Sequence, residues 1–560
     1  MSTESTPPRR ILVAVAWPYA NGSLHLGHIA GAYLPADIFA RYHRMAGSDV
    51  LMVSGSDQHG TPITVRADNE NRTPQDVVDE FHPQFLRYWQ ELGISFDLFT
   101  STGTKNHADV THDMFRRLMD NGYIYRATTS QFYDPEAKRF LPDRYVEGTC
   151  PNCASENARG DQCDNCGRTL DPDQLINPRS KLTGAVPETR ETDHFFFKLS
   201  AFQEPLIDWL RSREGWRKHV LNFTIGFVEE GLHDRAVTRD LDWGVPLWVE
   251  DLGPGKRIYV WFEAVMGYLS ASKEWAEARG EPDAWKKWWD DPEARAYYFI
   301  GKDNIPFHTI IWPAILMGYG GLNLPFDVPA NQYVTFKGEK ASKSQNVGDS
   351  VLSYLERFQP DAIRYGLAAN LPETSDTDLT EAELVRRNND ELVATWGNLV
   401  NRVLAMTHKN FAGAVPQPGP FDARDQTLLD HAATMLDEVR PHLEAVHLKA
   451  ALHAAMSLAQ EANGYLSDTE PWKTAKTDRV RTATSLYVAL CAINALKVAL
   501  YPFLPFSSQK VHEYLGLSGA IEDGAWEMRR PEPGTTLQQP EPLFKKIEVA
   551  EVEGEARLSA

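Results

Sequence analysis

His25 and His28, in the tetrapeptide HLGH, stand three residues apart, so on a helix both imidazoles leave one face of the first turn. A helix N-terminus already favours anions through its free N–H groups and its dipole. Two imidazoles there add directed donors, which suits a triphosphate. In isolation the same spacing fits equally well one capping and one packing histidine. Far along the chain, GEKASKSQN (338–346) holds Lys340 and Lys343 three apart among small hydroxyl residues. A mobile loop of this kind can close on phosphates and neutralise the charge that grows on departing pyrophosphate. Alone it reads as a solvated basic loop; beside the histidine pair in one sheet it reads as phosphate chemistry.

Cys150, Cys153, Cys163 and Cys166 follow the spacing C-x2-C-x9-C-x2-C. Four thiolates make a complete tetrahedral set with no open position, so one structural zinc ion is expected, with an iron centre as the alternative. The fifth cysteine, Cys491, lies in an apolar helical stretch. That distribution suits a metal site in a reducing compartment better than disulfides. The N-terminus MSTESTPPRR has no apolar region of the secretory kind, and no uninterrupted apolar run approaches the roughly 18 to 20 residues that span a bilayer. A cytoplasmic protein without a membrane partner is expected.

The elements that must position these groups are visible in the pattern. Residues 11–17, ILVAVAW, are a continuous apolar run of the kind buried on both faces of a parallel sheet. A turn, a helical segment from Leu24 to Gly47 and a second buried run, DVLMVSGSD, complete a βαβ unit. Ligands of such sheets sit at the carboxyl ends of the strands, where Asp57 ends the second run; it could pair with an ammonium group or simply shape a turn. The pattern breaks from about 121 to 240, returns with RIYVWFEAV, AYYFIGKD and NQYVTFKG, and turns helical beyond 350. The fold class expected is α/β: a doubly wound, Rossmann-like parallel-sheet catalytic domain split by a zinc-containing insertion and followed by an α-helical bundle. The boundaries read as 1–120 and 241–350 for the two halves, 121–240 for the insertion, 351–390 for a linker, 391–530 for the bundle and 531–560 for an irregular tail.

With 560 residues the chain can bury a large core without staples, and its 57 basic against 77 acidic residues give a net charge of −20. A disulfide-stapled module and a wholly basic nucleic-acid coat are both excluded, whereas a local basic patch is not.

AWPYANGSLHLGH, GSDQHGTPI, CPNC, CDNCG, YVWFEAVMGY, FIGKDNIPFH, KASKS and NLVNR, in that order between about 11 and 515, resemble the class I aminoacyl-tRNA synthetase family, most closely its methionyl branch. Ala341 stands where the family usually has Met, and Val265 where some relatives have Pro. The resemblance implies a two-step reaction: the methionine carboxylate attacks the α-phosphorus of Mg²⁺-bound ATP, and the methionyl group then passes to the 3′ end of tRNA(Met), elongator or initiator. Neither step needs a protein nucleophile, so His25, His28, Lys340 and Lys343 would act by positioning and charge stabilisation. It assigns ATP to His25, His28, Gly301, Asp303 and Lys343. Trp17, Tyr19, Asp57, Trp261, Ala264, Tyr268 and His308 are implied to hold methionine, although the i, i+3, i+7 spacing of Trp261, Ala264 and Tyr268 alone would mean core packing. A thioether packs well on aromatic rings. Asn398, Arg402 and Trp472 are implied to read the anticodon, and a monomer is expected because longer relatives carry an additional C-terminal dimerising domain. Synthetases for leucine, isoleucine and valine have larger editing insertions, and a cysteine enzyme keeps an open zinc site. A metabolite nucleotidyltransferase or a zinc-containing RNA-binding protein are the readings from other classes.

Overall fold

Ile11 to Val15 are wholly buried, and their side chains alternate between two cores. Ile11, Val13 and Val15 pack into one and Leu12 and Ala14 into the other. This is the signature of a central strand with a layer on each face. In the computed structural model, which describes residues 8–548 except 161, 164, 169, 171, 250–251, 253–254, 337–338 and 341–349, that strand, β1 (Arg10–Val15), lies mid-sheet. With it run β2 (Asp49–Ser56) and β3 (Leu98–Ser101) from the first half of the chain. An antiparallel pair follows, β4 (Ile124–Asp134) with β5 (Glu188–Phe197). Then come β6 (Arg295–Gly301) and β7 (Ala330–Asn331). The main sheet has the order β7-β6-β1-β2-β3, and every pairing in it is parallel. Strand order reverses between β1 and β6, so the ligand crevice belongs at their carboxyl ends.

The expected first helix opens at Leu26–His28, passes through a π-turn at Ile29–Tyr33 and continues as Leu34–Met45. Between β4 and β5 the cysteines form a module with its own small core, centred on Tyr145, Val146, Cys150 and Cys163.

Beyond 350 the chain is helical, and its longest helices are Ala423–Glu444, Leu448–Thr469 and Arg479–Leu500. Arg479–Leu500 has the length and mean hydropathy, 1.6, of a membrane span, yet its apolar window is wholly buried, as befits the central helix of a bundle. Residues 531–548 lack helices and strands, but they are not loose. Leu543 and Phe544 are buried, Asn388 Nδ2 donates to the Lys545 carbonyl at 2.9 Å, and Ile547 N donates to Asn389 Oδ1 at 3.0 Å.

Candidate functional site

At the carboxyl end of β1 the chain turns through PYANGS into the histidine pair. The structure corrects one detail: His25 is not on the helix but caps it, with extended backbone (φ −112°, ψ 168°). Its backbone N–H donates to His28 Nδ1 at 3.3 Å, and the two ring centroids are 3.8 Å apart. Gly27 makes this possible, since a Cβ there would lie 2.9 Å from His25 Nδ1. Both flanks of the lysine segment reach this corner. Lys340 pairs with Thr335 on a two-residue strand, Glu339–Lys340, rather than lying in an open loop. Ser350 bridges His25, and Val351 N donates to the Leu24 carbonyl at 3.0 Å. Lys343 and Ala341 lie outside the described residues.

The aromatic residues converge one strand away. Asp57, at the end of β2, bridges Tyr19, and Trp261 Nε1 donates to Tyr19 Oη at 3.0 Å. Trp17 meets Tyr268 edge to face, with centroids 6.4 Å apart. Tyr268 and His308 are 2.6 Å apart, Oη to Nε2. His308 Nδ1 lies 2.9 Å from the Asn304 carbonyl, which only accepts, so Nδ1 carries the proton and Tyr268 donates to Nε2. Burial drives His308 down to about 4 and pushes the Tyr268 phenol well above its ordinary value. Both are neutral at pH 7, a fitting end wall for an uncharged side chain. The helix that carries Trp261, Ala264 and Tyr268 is interrupted by a 3₁₀ turn at Ala264–Met266. A cavity of about 1030 Å³ opens beyond Trp261 and Phe307, toward Gln131, Phe196 and Arg239 of the insertion side.

Sequence reasoning missed what stands behind these rings. Trp17 is wedged between two glycines: a Cβ on Gly55 would lie 2.3 Å from its ring, and one on Gly267 2.8 Å. Beneath Asp57, the wholly buried Glu263 lies between His59, 2.9 Å away, and His107. The one signal was a carboxylate in the otherwise apolar run YVWFEAVM. Asp57 itself is raised well above its ordinary value by burial and then by the nearby Glu263 charge.

Gly301, at the end of β6, has nothing among the described residues within 4 Å of the place a Cβ would take. Its carboxyl-end position is the expected one. Asp303 is exposed and accepts from Tyr333 Oη, so one of its oxygens already has a protein partner.

The four cysteine Sγ atoms lie within 4.8 Å of one another. Cys150 and Cys166 are 3.9 Å apart and Cys153 and Cys163 3.6 Å, close to the edge of about 3.8 Å in a tetrahedron of four sulfurs about 2.3 Å from a metal. Two equivalent knuckles form them, with Ala154 and Gly167 both in the left-handed region (φ 57° and 70°). Asn152 and Asn165 amides donate to Cys166 and Cys153 at 3.6 and 3.5 Å, the polarity that thiolates accept. The donor set therefore fits a metal ion.

In the bundle, Arg402 stacks over Trp472, 5.0 Å from its ring centroid, so the structure brings together two residues 70 positions apart in sequence. Trp472 keeps 39% of its surface exposed. Asn398 opens the helix Asn398–Phe411 one turn before Arg402.

Residues 11–404 match the family described as tRNA synthetases class I (M), and residues 415–558 the anticodon binding domain of methionyl tRNA ligase. The chain is 56% identical over 546 residues to the methionine–tRNA ligase of Dehalococcoides mccartyi strain CBDB1, covering 98% of each. It is 54% identical to that of Roseiflexus castenholzii over 588 residues, covering 99% of each. Among solved structures it resembles Mycobacterium tuberculosis methionyl-tRNA synthetase bound by methionyl-adenylate, with a TM-score of 0.79 at 28% identity, covering 96% of this chain and all of that one. The two family models and these relatives span nearly the full length: the chain belongs to the class I methionyl-tRNA synthetases.

Proposed function

We propose that this chain activates L-methionine with Mg²⁺-bound ATP, releasing pyrophosphate, and transfers the methionyl group from the adenylate to the 3′-terminal ribose of elongator and initiator tRNA(Met). The observation that carries the reading is the neutral Tyr268–His308 pair at 2.6 Å, at the end of an aromatic pocket that runs through Trp17, Trp261 and Tyr19 to Asp57. The thioether packs against the rings and the ammonium pairs with Asp57, whose raised proton affinity falls when a cation arrives. The carboxylate thereby faces the carboxyl ends of β1 and β6. There His25 and His28 donate to the ATP phosphates, Lys340 and Lys343 oppose the charge on pyrophosphate, and Gly301 and Asp303 take the ribose. The cavity beyond Trp261 receives the tRNA 3′ end, and Asn398, Arg402 and Trp472 read the anticodon by hydrogen bonding and stacking.

The cysteine module holds one structural zinc ion, which when bound supplies rigidity to the insertion and no open coordination position. The domain limits are those read from the sequence. The protein acts as a cytoplasmic monomer, since one chain carries both the activation site and the anticodon surface. The test is ATP–pyrophosphate exchange by purified protein against all twenty amino acids, followed by charging of tRNA(Met). Exchange with methionine alone supports the reading. Exchange with a different amino acid overturns the pocket assignment, and no exchange by folded protein with Mg²⁺ overturns the reaction.

A further inference from the structure

Glu263 is 0% exposed, on a short helix whose other buried residues, Val260 and Phe262, are apolar. Burying a carboxylate there is expensive unless it is fully hydrogen-bonded, and both of its oxygens are engaged. Oε1 meets His59 Nδ1 at 2.9 Å, and Oε2 meets His107 Nε2. The proton count along this chain can be read from its far end. Ser270 Oγ donates to the Gly267 carbonyl at 3.0 Å, so toward His107 Nδ1, 2.9 Å away, it can only accept. His107 Nδ1 therefore carries a proton, and a second proton lies between His107 Nε2 and Glu263 Oε2. Burial opposes the charge on Glu263, but His107 and then His59 hold its pKa below the ordinary carboxylate value. The carboxylate is thus fixed in place and in charge by two rings.

His59 connects this buried charge to the substrate side. Its backbone N–H donates to Asp57 Oδ1 at 3.1 Å, and the Gly60 N–H also bonds that carboxylate. Those two donors are the first groups that favour a charged Asp57 against its burial and the Glu263 charge. They point correctly only while the 57–60 turn holds its shape, and the His59 ring clamped by Glu263 on one side and lying 6.0 Å from Trp243 on the other restrains that turn. The other charged groups around the pair are Arg144, which lowers Asp57, and Glu274, which is near His107.

We infer that Glu263 is a positioning residue for recognition of the substrate's ammonium group, acting through the His59 ring and the 57–60 turn on Asp57. The inference rests on the assignment of Asp57 to the ammonium. A carboxylate that merely fills the core would affect every ligand alike or only the stability of the fold. One that positions Asp57 affects only ligands that carry an ammonium.

The experiment uses the full chain and two probes, L-methionine and 4-(methylthio)butanoate, the same molecule without its amino group. Their inhibition or dissociation constants are measured in the wild type, Glu263→Gln, His59→Gln and Asp57→Asn, with thermal unfolding of each. In Glu263→Gln the methionine constant is expected to rise about tenfold or more, the order for losing a charged hydrogen-bonded group, and by more than kcat falls. The constant for the deaminated acid should change less than about twofold. His59→Gln should show the same selective loss in smaller measure. It decides the matter where Glu263→Gln does not fold. A folded Glu263→Gln or His59→Gln that keeps the wild-type ratio of the two constants, while Asp57→Asn loses it, overturns this inference alone. An Asp57→Asn that keeps the ratio overturns the ammonium assignment, and the inference with it.

Discussion

Gly267→Ala isolates the contact that shapes the proposed methionine pocket. Gly267 has ordinary helical backbone (φ −54°, ψ −34°), so alanine fits its conformation and, within a helix, favours folding by up to about 1 kcal/mol. The new methyl would lie 2.8 Å from Cε2 and Cζ2 of Trp17 and 3.2 Å from Cη2, whereas carbon atoms settle at about 3.5 to 4.0 Å. The indole must therefore move by about 0.7 Å or more. It cannot retreat toward β2, because the Gly55 backbone is already so close that a Cβ there would lie 2.3 Å from the ring and 2.6 Å from the Thr100 carbonyl. What remains is displacement toward Tyr268 and the volume assigned to the thioether. Overpacking of this kind costs about 1 to 3 kcal/mol, which as lost binding is about a 5- to 150-fold rise in the methionine constant. The assay is ATP–pyrophosphate exchange at varied methionine and at varied ATP, alongside thermal unfolding. Expected are a raised KM for methionine, an unchanged KM for ATP and a cooperative transition whose stability falls by no more than about 2 kcal/mol, the overpacking cost less the helix gain. A stable variant with unchanged methionine KM would refute the wedge argument, and an equal rise for ATP would place the strain elsewhere.

Trp472→Ala should leave exchange unchanged and lower kcat/KM for tRNA charging about 5- to 150-fold, the equivalent of about 1 to 3 kcal/mol of base stacking; unchanged charging kinetics remove it from the anticodon site. Elemental analysis should find one zinc per chain, and its removal with a strong chelator should expose the segment around 141–182 to protease before the parallel sheet; simultaneous loss of both would mean that the module does not fold independently. Lys497→Met should stabilise the protein, because burial has lowered the Lys497 ammonium from 10.5 to about 7. The unfolded chain then binds the extra proton between about pH 7 and 10.5, so this lysine costs most stability below pH 7 and least near pH 10.5. Denaturant unfolding at pH 6.5 and 9.5 measures it, and a gain that grows with pH would contradict the sign.

What the sequence disclosed was what lies close together along the chain or in a recurrent order. The knuckles were legible because each supplies two thiolates within four residues, and the switch point because β1, its turn and its helix are consecutive. The interior of the pocket was not legible, because its determinants are complementary in space and far apart in sequence. Glu263 meets its two histidines across 204 and 156 residues, and the glycines that seat Trp17 differ from ordinary turn glycines only through the ring that lies against them. His25 reads as helical from its spacing with His28, but it stands just before the helix in extended backbone, and its own backbone N–H is taken up by the His28 ring. The tail reads as irregular from its proline content. It is irregular, yet the sequence gives no sign that Asn388 and Asn389 fasten it.

The same reasoning explains why the helix behind the histidine pair stays in register with the bundle. Asp37, on Leu34–Met45, is fully buried and accepts from Arg41 Nε at 3.0 Å and from an Arg364 guanidinium nitrogen at 2.7 Å. Burial would raise Asp37, but Arg41 and Arg364 bring it to about 2. The remaining guanidinium donors reach outward: Arg41 to Tyr501 Oη at 2.6 Å, and Arg364 to the Phe503 and Pro502 carbonyls at 2.9 and 2.8 Å. Two cations share one carboxylate, so the excess positive charge is solvated only when those carbonyls and the phenol are also in place. An apolar contact of equal area would tolerate sliding by a residue, whereas this set of directed bonds does not, and its cost in desolvation is offset only in one arrangement. The helix that follows His25 and His28 is thereby keyed to residues 501–503, at the end of the bundle's central helix Arg479–Leu500.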